Sequence, residues 1–251
     1  MISTSAPSAI TGLPDRMPSY DGFCDDIEAM IRDTLPSWRV QVMRTGNASQ
    51  MGEKDLTSRL CIYLNQTARE QSVSWGFHHE HPQRGSRSED ISLVPATTCG
   101  IWIEQAYFAS HQRFYAIEAK RLPTPPDPKK ERDREREYVC GDWQRAHDRR
   151  KPISGGIERF KENKHGEDLP RGGMVAFVQD KSFDHWSTQV NGWIADLSTA
   201  KLPCFKASWS AADQLTSPSN ERDEQREHVS SHLRPPNSQS ITLRHFWVQL
   251  S

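Results

Sequence analysis

Residues 114 to 122 read Phe114-Tyr115-Ala116-Ile117-Glu118-Ala119-Lys120-Arg121-Leu122. Aromatic and β-branched residues open this run, a composition that predicts a β-strand. Side chains alternate between the two faces of a strand, so Glu118 and Lys120 project from one face, about 7 Å apart. The apolar Tyr115, Ile117 and Ala119 take the other face. The sequence therefore predicts a carboxylate and an ammonium side by side at the end of a strand.

An acidic residue also opens the preceding apolar run, which reads Glu89-Asp90-Ile91-Ser92-Leu93-Val94. If the two runs form neighbouring strands, Asp90 and Glu118 supply two carboxylates to one site. The backbone carbonyl of Ala119 or Ile117 adds a further oxygen ligand of the type that a hard divalent cation prefers. Lys120 would then lie over an attacking water. This arrangement is typical of enzymes that cut phosphodiesters, and we expect Mg²⁺ as the cofactor, with Mn²⁺ as a substitute.

The composition indicates one α/β domain. The chain has 251 residues, about a third of them apolar, with 16 prolines and a formal charge of −1. That charge argues against a uniformly basic protein that binds nucleic acid by its overall charge. It is compatible with a local basic groove. Five cysteines without a C-x-x-C pair suggest neither a disulfide framework nor a cysteine-rich zinc site.

Residues 1–20 are rich in Ser, Pro and Thr, and we expect them to form a disordered lead before a single domain over 21–251. The N-terminus lacks the basic and apolar regions of a secretion signal. No apolar run approaches the roughly 20 residues that a membrane-spanning helix needs. We therefore expect a soluble, cytoplasmic protein.

Hydrophobic periodicity predicts the main elements. One helix is expected over 25–35 and should end at Pro36, and a second is expected over 52–66. Further helices are expected near 157–160 and 186–197. Residues 211–239 are polar and contain proline, so a surface excursion is expected there before a final strand over 241–250. The remaining strands are expected at 72–77, 91–94, 101–108, 114–119 and 173–178.

The combination of Glu53 on an early helix, Asp90, and Glu118-Ala119-Lys120 resembles the PD-(D/E)XK, or restriction-endonuclease-like, nuclease superfamily. The resemblance covers roughly residues 50–197. Three stretches are similar to an uncharacterised bacterial branch that is often associated with phage defence: Ile117-Glu118-Ala119-Lys120-Arg121-Leu122, Gly155-Gly156-Ile157-Glu158-Arg159-Phe160 and Gly172-Gly173-Met174-Val175-Ala176-Phe177-Val178.

The resemblance implies a central mixed sheet of four to five strands, flanked by helices, with a metal site where two strands diverge. It implies that Asp90 and Glu118 bind metal and that Lys120 orients or activates water. Glu53 would be an outer ligand or would support the ligands, and it could instead be a first-turn acid that complements the helix dipole. The proline of the family motif is absent, and Glu89 holds its place.

Two basic features could contact nucleic acid. Arg159 and Lys161 follow a glycine pair at the start of a short helix, where backbone N–H groups could also bind a phosphate. Residues 129–151 alternate basic and acidic side chains with Tyr138 and Trp143, which could stack on bases. For Arg159 and the glycine pair, the structural alternative is a solvated or salt-bridged helix residue next to an ordinary turn. For residues 129–151, the alternative is a solvated helix.

We therefore expect a Mg²⁺-dependent deoxyribonuclease of prokaryotic defence. It could act as a homodimer or with a separate subunit, because cutting both strands commonly needs two sites. One alternative is a catalytically silent nuclease-like module that binds nucleic acid or a partner protein. Another is an interaction protein on which Asp90 and Glu118 are unrelated surface residues.

Overall fold

The computed structural model describes residues 19–82, 88–125, 134–141, 154–199, 208–218, 220–235 and 239–251. The helices are α1 (Tyr20–Met43), α2 (Glu53–Glu70), α3 (Gly156–Lys161) and α4 (Phe183–Thr199), with 3₁₀ turns at Ala48–Gln50 and Ala211–Asp213. The strands are β1 (Trp75–Pro82), β2 (Ser88–Pro95), β3 (Ile101–Ile103), β4 (Ala106–Phe108), β5 (Tyr115–Leu122), β6 (Arg171–Val178), β7 (Asn220–Arg222), β8 (Gln225–Arg234) and β9 (Gln239–Gln249). None of the described helices is long and apolar enough to cross a membrane.

A mixed sheet of seven strands organises the fold. Its strand order is β1-β2-β5-β6-β9-β8-β7, and β3 and β4 form a separate hairpin. The three central strands, β5, β6 and β9, run parallel. The flanking strands pair antiparallel on both sides. The predicted α/β class with a mixed sheet is confirmed.

Apolar cores cover both faces of the central strands. On one face, β5 contributes Tyr115, Ile117 and Ala119 to a core shared with α1 and α2. On the other face, Ala116 and Leu122 join a core shared with α3 and α4. Burial on both sides explains why these strands are almost continuously apolar in sequence. Glu118 and Lys120 share the second face by alternation, and the core must therefore accommodate two charged side chains.

The expectation of four to five strands is wrong, because two strands lie in the stretch that was expected to be a surface excursion. The inward side chains of β8 are polar, yet they are buried and hydrogen-bonded. The Ser230 hydroxyl lies 2.6 Å from His232 Nε2 and 2.7 Å from His245 Nε2. His232 Nδ1 lies 2.7 Å from Asp213 Oδ1, and the Tyr138 hydroxyl lies 2.7 Å from His245 Nδ1. Mutual hydrogen bonding thus stabilises a strand that hydrophobicity alone does not reveal.

The first helix is longer than expected. It continues through Pro36, where a stop was predicted, and extends to Met43. Pro36 has no N–H to donate to the carbonyl of Arg32, and its ring crowds that turn. The helix continues because the turns beyond the proline bury Trp38 and Val42 completely or nearly so. Burial of apolar area therefore outweighs the local cost of the proline.

The other predicted elements are present with shifted ends. The helices expected over 52–66, near 157–160 and over 186–197 correspond to α2, α3 and α4. The run expected over 101–108 is a hairpin of two short strands. Residues 1–18 and most of 129–151 lie outside the described residues. Tyr138, which does lie in the described part, is fully buried, so it does not present its ring to a base.

Replacing the helix-interior proline should stabilise the protein. We expect Pro36→Ala to raise the free energy of unfolding by about 1–3 kcal/mol, because the new N–H can complete the bond to Arg32. The greater freedom of alanine in the unfolded chain reduces the gain. Chemical denaturation measures the difference, with the exposed neighbour Ser37→Ala as a control that should change stability by less than about 0.5 kcal/mol. A loss of stability in Pro36→Ala would contradict this account of α1.

Candidate active site

The amine of Lys120 lies at the point where four oxygen atoms converge. Its Nζ is 2.9 Å from Glu118 Oε1 and 3.0 Å from Glu53 Oε1. It donates to the carbonyl oxygen of Ala119 at 3.0 Å and lies 3.8 Å from Asp90 Oδ2. We call Glu53, Asp90 and Glu118, together with Lys120, the carboxylate cluster. The structure thus brings together all four residues that the sequence predicted as catalytic.

Strand divergence positions Asp90. The pairing of β2 with β5 runs from Leu93↔Tyr115 to Ile91↔Ile117 and goes no further. The N–H of Ala119 therefore has no backbone partner on β2, and it donates to Asp90 Oδ2 at 2.9 Å. This side-chain bond turns the Asp90 carboxylate toward the end of β5.

The first turn of α2 supplies Glu53. The residue begins the helix directly after Gly52, and α2 packs on the first core through Leu56, Leu60 and Leu64. Its Oε2 atom is buried without a hydrogen-bond partner among the described residues, whereas Oε1 accepts from Lys120. The helix therefore directs Glu53 into the cluster rather than to solvent.

Two further residues hold Glu118. Arg159 Nη1 donates to Glu118 Oε1 at 2.5 Å, and His165 Nδ1 lies 2.8 Å from Glu118 Oε2. Both atoms of this second pair are buried, and the proximity of His165 favours the ionised form of Glu118. Sequence reasoning missed His165, because a single histidine in a loop carries no spacing signal.

Opposite charges set the ionisation of the two buried groups. Burial raises the pKa of the Glu118 carboxyl, but Arg159 and Lys120 outweigh this effect and hold that pKa well below its ordinary value. Burial lowers the pKa of Lys120, but Glu118, Glu53 and Asp90 outweigh it and raise that pKa above its ordinary value. Glu118 is therefore a carboxylate and Lys120 an ammonium at neutral pH.

Asp90 differs from its neighbours. Its side chain is 27% exposed. Burial, joined by the charges of Glu118 and Glu53, raises its pKa from 3.8 to about 7, although Lys120 and the Ala119 N–H favour the ionised form. Asp90 therefore exchanges a proton near neutral pH.

The oxygen atoms of the cluster suit a hard cation. Carboxylates and a backbone carbonyl are the ligands that Mg²⁺ takes in proteins, and the unpaired Glu53 Oε2 adds a free acceptor. Within the described residues, no group of three or more His, Cys, Asp and Glu side chains is arranged to hold a metal ion. The Lys120 ammonium occupies the point on which the carboxylates converge. Glu53, Asp90 and Glu118 thus supply ligand types that suit a divalent cation, and in this structure they surround an ammonium.

The expected phosphate site at the start of α3 is not formed. The N–H groups of Gly156, Ile157 and Glu158 donate to backbone carbonyls of residues 137–139, at 2.8, 3.1 and 2.9 Å. This close approach explains the glycine pair, because a Cβ at Gly155 would lie 2.1 Å from the Cys140 carbonyl oxygen. The backbone donors of α3 are therefore already used.

The two basic residues of α3 also have partners in the protein. Arg159 bonds to Glu118, as described above. Lys161 is 1% exposed in the second core, where it is paired with Asp213 and lies 4.7 Å from the centre of the Trp209 ring. Lys161 therefore does not reach the carboxylate cluster.

Comparison of the chain with models of protein families, with curated proteins and with solved structures gave no match. Function must therefore be inferred from the chemistry of the site itself.

The raised pKa of Asp90 predicts a pH-dependent stability. Between pH 3.8 and about 7 the folded protein holds a proton on Asp90 that the unfolded chain releases. The contribution of this group to stability is thus full at low pH and falls as the pH rises to about 7. We expect wild type to lose roughly 1–3 kcal/mol more than Asp90→Asn between pH 5 and pH 8, because asparagine does not titrate. Urea denaturation in EDTA at both pH values measures this difference, and equal losses in the two proteins would contradict it.

Proposed function

We propose that this protein is a Mg²⁺-dependent nuclease with a restriction-endonuclease-like core over roughly residues 50–197. The observation that carries the proposal is the convergence of Glu53, Asp90, Glu118 and the Ala119 carbonyl on one cation, at the point where β2 and β5 separate. The third hypothesis from the sequence, unrelated surface acids, fits poorly, because Asp90 and Glu118 share the same ammonium.

Hydrolysis of a phosphodiester needs neutralisation of its charge and a nucleophile near neutral pH. A bound Mg²⁺ supplies both, and Mn²⁺ offers the same chemistry. In this proposal Glu53, Asp90, Glu118 and the Ala119 carbonyl hold the ion. The support for a metal site comes from the convergence of these four groups and not from any single one of them.

Lys120 acts in the proposal as a charged donor. Without metal, the carboxylates of Glu118, Glu53 and Asp90 raise its pKa and keep it protonated. In the proposal the ammonium leaves the point of convergence to the ion and, from beside it, orients the attacking water and stabilises negative charge on the phosphate oxygens. Arg159 is bonded to Glu118 and holds that carboxylate rather than the substrate.

The wider context comes from the sequence resemblance. DNA is the proposed substrate, and defence against foreign DNA in the cytoplasm is the proposed role. Cleavage of both strands would need two active sites, hence a homodimer or a separate defence subunit that brings two copies together.

One observation favours a second candidate, a catalytically silent module that binds nucleic acid or a partner protein. Lys120 and Arg159 already neutralise Glu118, and the described residues hold no ready metal group. A titration with Mn²⁺ separates the two candidates. Folded protein that takes up no metal would favour the silent module.

Cleavage assays on matched variants test the nuclease. Wild type should cut plasmid or single-stranded DNA in Mg²⁺ or Mn²⁺ and not in EDTA. We expect Glu118→Gln and Lys120→Met each to reduce the rate roughly 100-fold or more, because each removes a charge that acts on the phosphate or on the ion. The control is Lys54→Met, an exposed lysine on the same helix as Glu53 that pairs with Glu80. Full cleavage by both site variants would exclude this assignment.

The same variants make a separate prediction about metal affinity. Lys120→Met removes the ammonium from the point of convergence, so its Mn²⁺ affinity should equal or exceed that of wild type. Glu118→Gln should bind Mn²⁺ at least about 10-fold more weakly, because it loses a charged ligand. Calorimetry measures both values. Weaker binding by Lys120→Met would show that the ammonium does not compete for the site.

A further inference from the structure

The loop of residues 162–170, which joins α3 to β6, carries His165 to Glu118. The loop folds sharply, with positive φ angles at Asn163, Gly166 and Asp168 of 54°, 57° and 63°. His165 is nearly buried, and its ring packs edge-on against Phe160 at 5.9 Å. Its Nδ1 faces Glu118 Oε2 at 2.8 Å. The conformation of the loop thus determines where the imidazole meets the carboxylate.

One buried arginine anchors this loop. Arg234, on β8, is 2% exposed. It donates to the carbonyl oxygens of Phe160 and Leu169, both at 2.9 Å, and of Gly166 at 3.0 Å. A longer bond of 3.4 Å reaches the carbonyl of His165 itself. Four carbonyls at the two ends and the middle of the turn therefore converge on one guanidinium.

This anchor has the chemistry of a rigid support. A guanidinium presents its N–H donors in a planar fork, so one side chain can fix several carbonyls at once. Strand β8 lies at residues 225–234, beyond the part of the chain that resembles a nuclease. Strands outside that part thereby connect to the carboxylate cluster through Arg234, the loop and His165.

We infer that Arg234 is a positioning residue that holds His165 against Glu118 and thereby orients this carboxylate in the cluster. The inference rests on the proposed function as far as it concerns metal binding. Residues that contact a metal ligand without binding the metal themselves fix the orientation of that ligand. Their loss typically weakens metal binding about 10–100-fold. The contact of 2.8 Å between His165 and Glu118 depends on the position of the loop, so a displacement of the loop would lengthen it.

A matched pair of variants on one strand tests the inference. Arg234→Met removes the anchor. Arg226→Met is the control, because Arg226 lies on the same face of β8, is 7% exposed and pairs with Asp184 and Glu221 instead of the loop. Two quantities are measured in each variant: the ¹⁵N and ¹H signals of the His165 ring without metal, and the dissociation constant for Mn²⁺.

We expect Arg234→Met to shift the His165 ring signals and to weaken Mn²⁺ binding at least about 10-fold, and Arg226→Met to change the affinity less than twofold. His165→Phe should weaken binding to a similar extent, and adding Arg234→Met to it should cause no further loss, because both act through one contact. Unchanged ring signals and affinity in folded Arg234→Met would overturn the inference. Equal losses in the two arginine variants would overturn it as well.

Two further measurements keep the test decisive. If Arg234→Met does not fold, Arg234→Lys, which retains the charge but not the fork, should show a partial loss of affinity, and an unchanged value would overturn the inference. If wild type takes up no Mn²⁺, the proposed function fails. In that case the ring signals alone decide, because Glu118→Gln and the arginine variant should both shift them if His165 is positioned as inferred.

Discussion

Lys120 is 2% exposed, and it remains charged because three carboxylates and a carbonyl surround its ammonium. A lone ion in such a place would cost several kcal/mol, and removal of the ammonium would leave the carboxylates without their shared cation. The cluster therefore constrains the backbone that supplies it. The start of α2, the divergence of β2 from β5, and the Ala119 carbonyl must all keep their places for the ammonium to stay charged.

The two-layered core makes this burial possible. Parallel central strands are covered on both faces, and the charged pair of Glu118 and Lys120 lies where β5 leaves β2 and α2 begins. Arg159 then approaches Glu118 from the second face, because α3 is pressed against residues 137–140 by its glycine pair. The sheet thus buries the cluster, and the helices supply charged side chains to it. Neither layer alone would hold the cluster.

The sequence predicted residues of the candidate site only where the spacing along the chain was informative. Glu118 and Lys120 were found because strand alternation puts them on one face, and Asp90 because it opens the apolar run of the adjoining strand. His165 and Arg234 gave no such signal, because they meet through a loop with three left-handed residues and through a strand whose inward side chains are polar. The predicted helix stop at Pro36 was wrong for a related reason. Local propensity predicted a stop, whereas burial of Trp38 and Val42 beyond it decided the outcome.

The charges of the cluster also indicate which ion could replace its ammonium. Glu53, Asp90 and Glu118 carry up to three negative charges. Lys120 and Arg159 contribute two positive charges. Burial and the neighbouring carboxylates raise the pKa of Asp90 to about 7, so this group can hold one further proton. Withdrawal of the Lys120 ammonium together with loss of the Asp90 proton removes two positive charges from one small volume. Under the proposed function a divalent cation would restore that sum, whereas a monovalent ion would leave a net negative charge among the carboxylates.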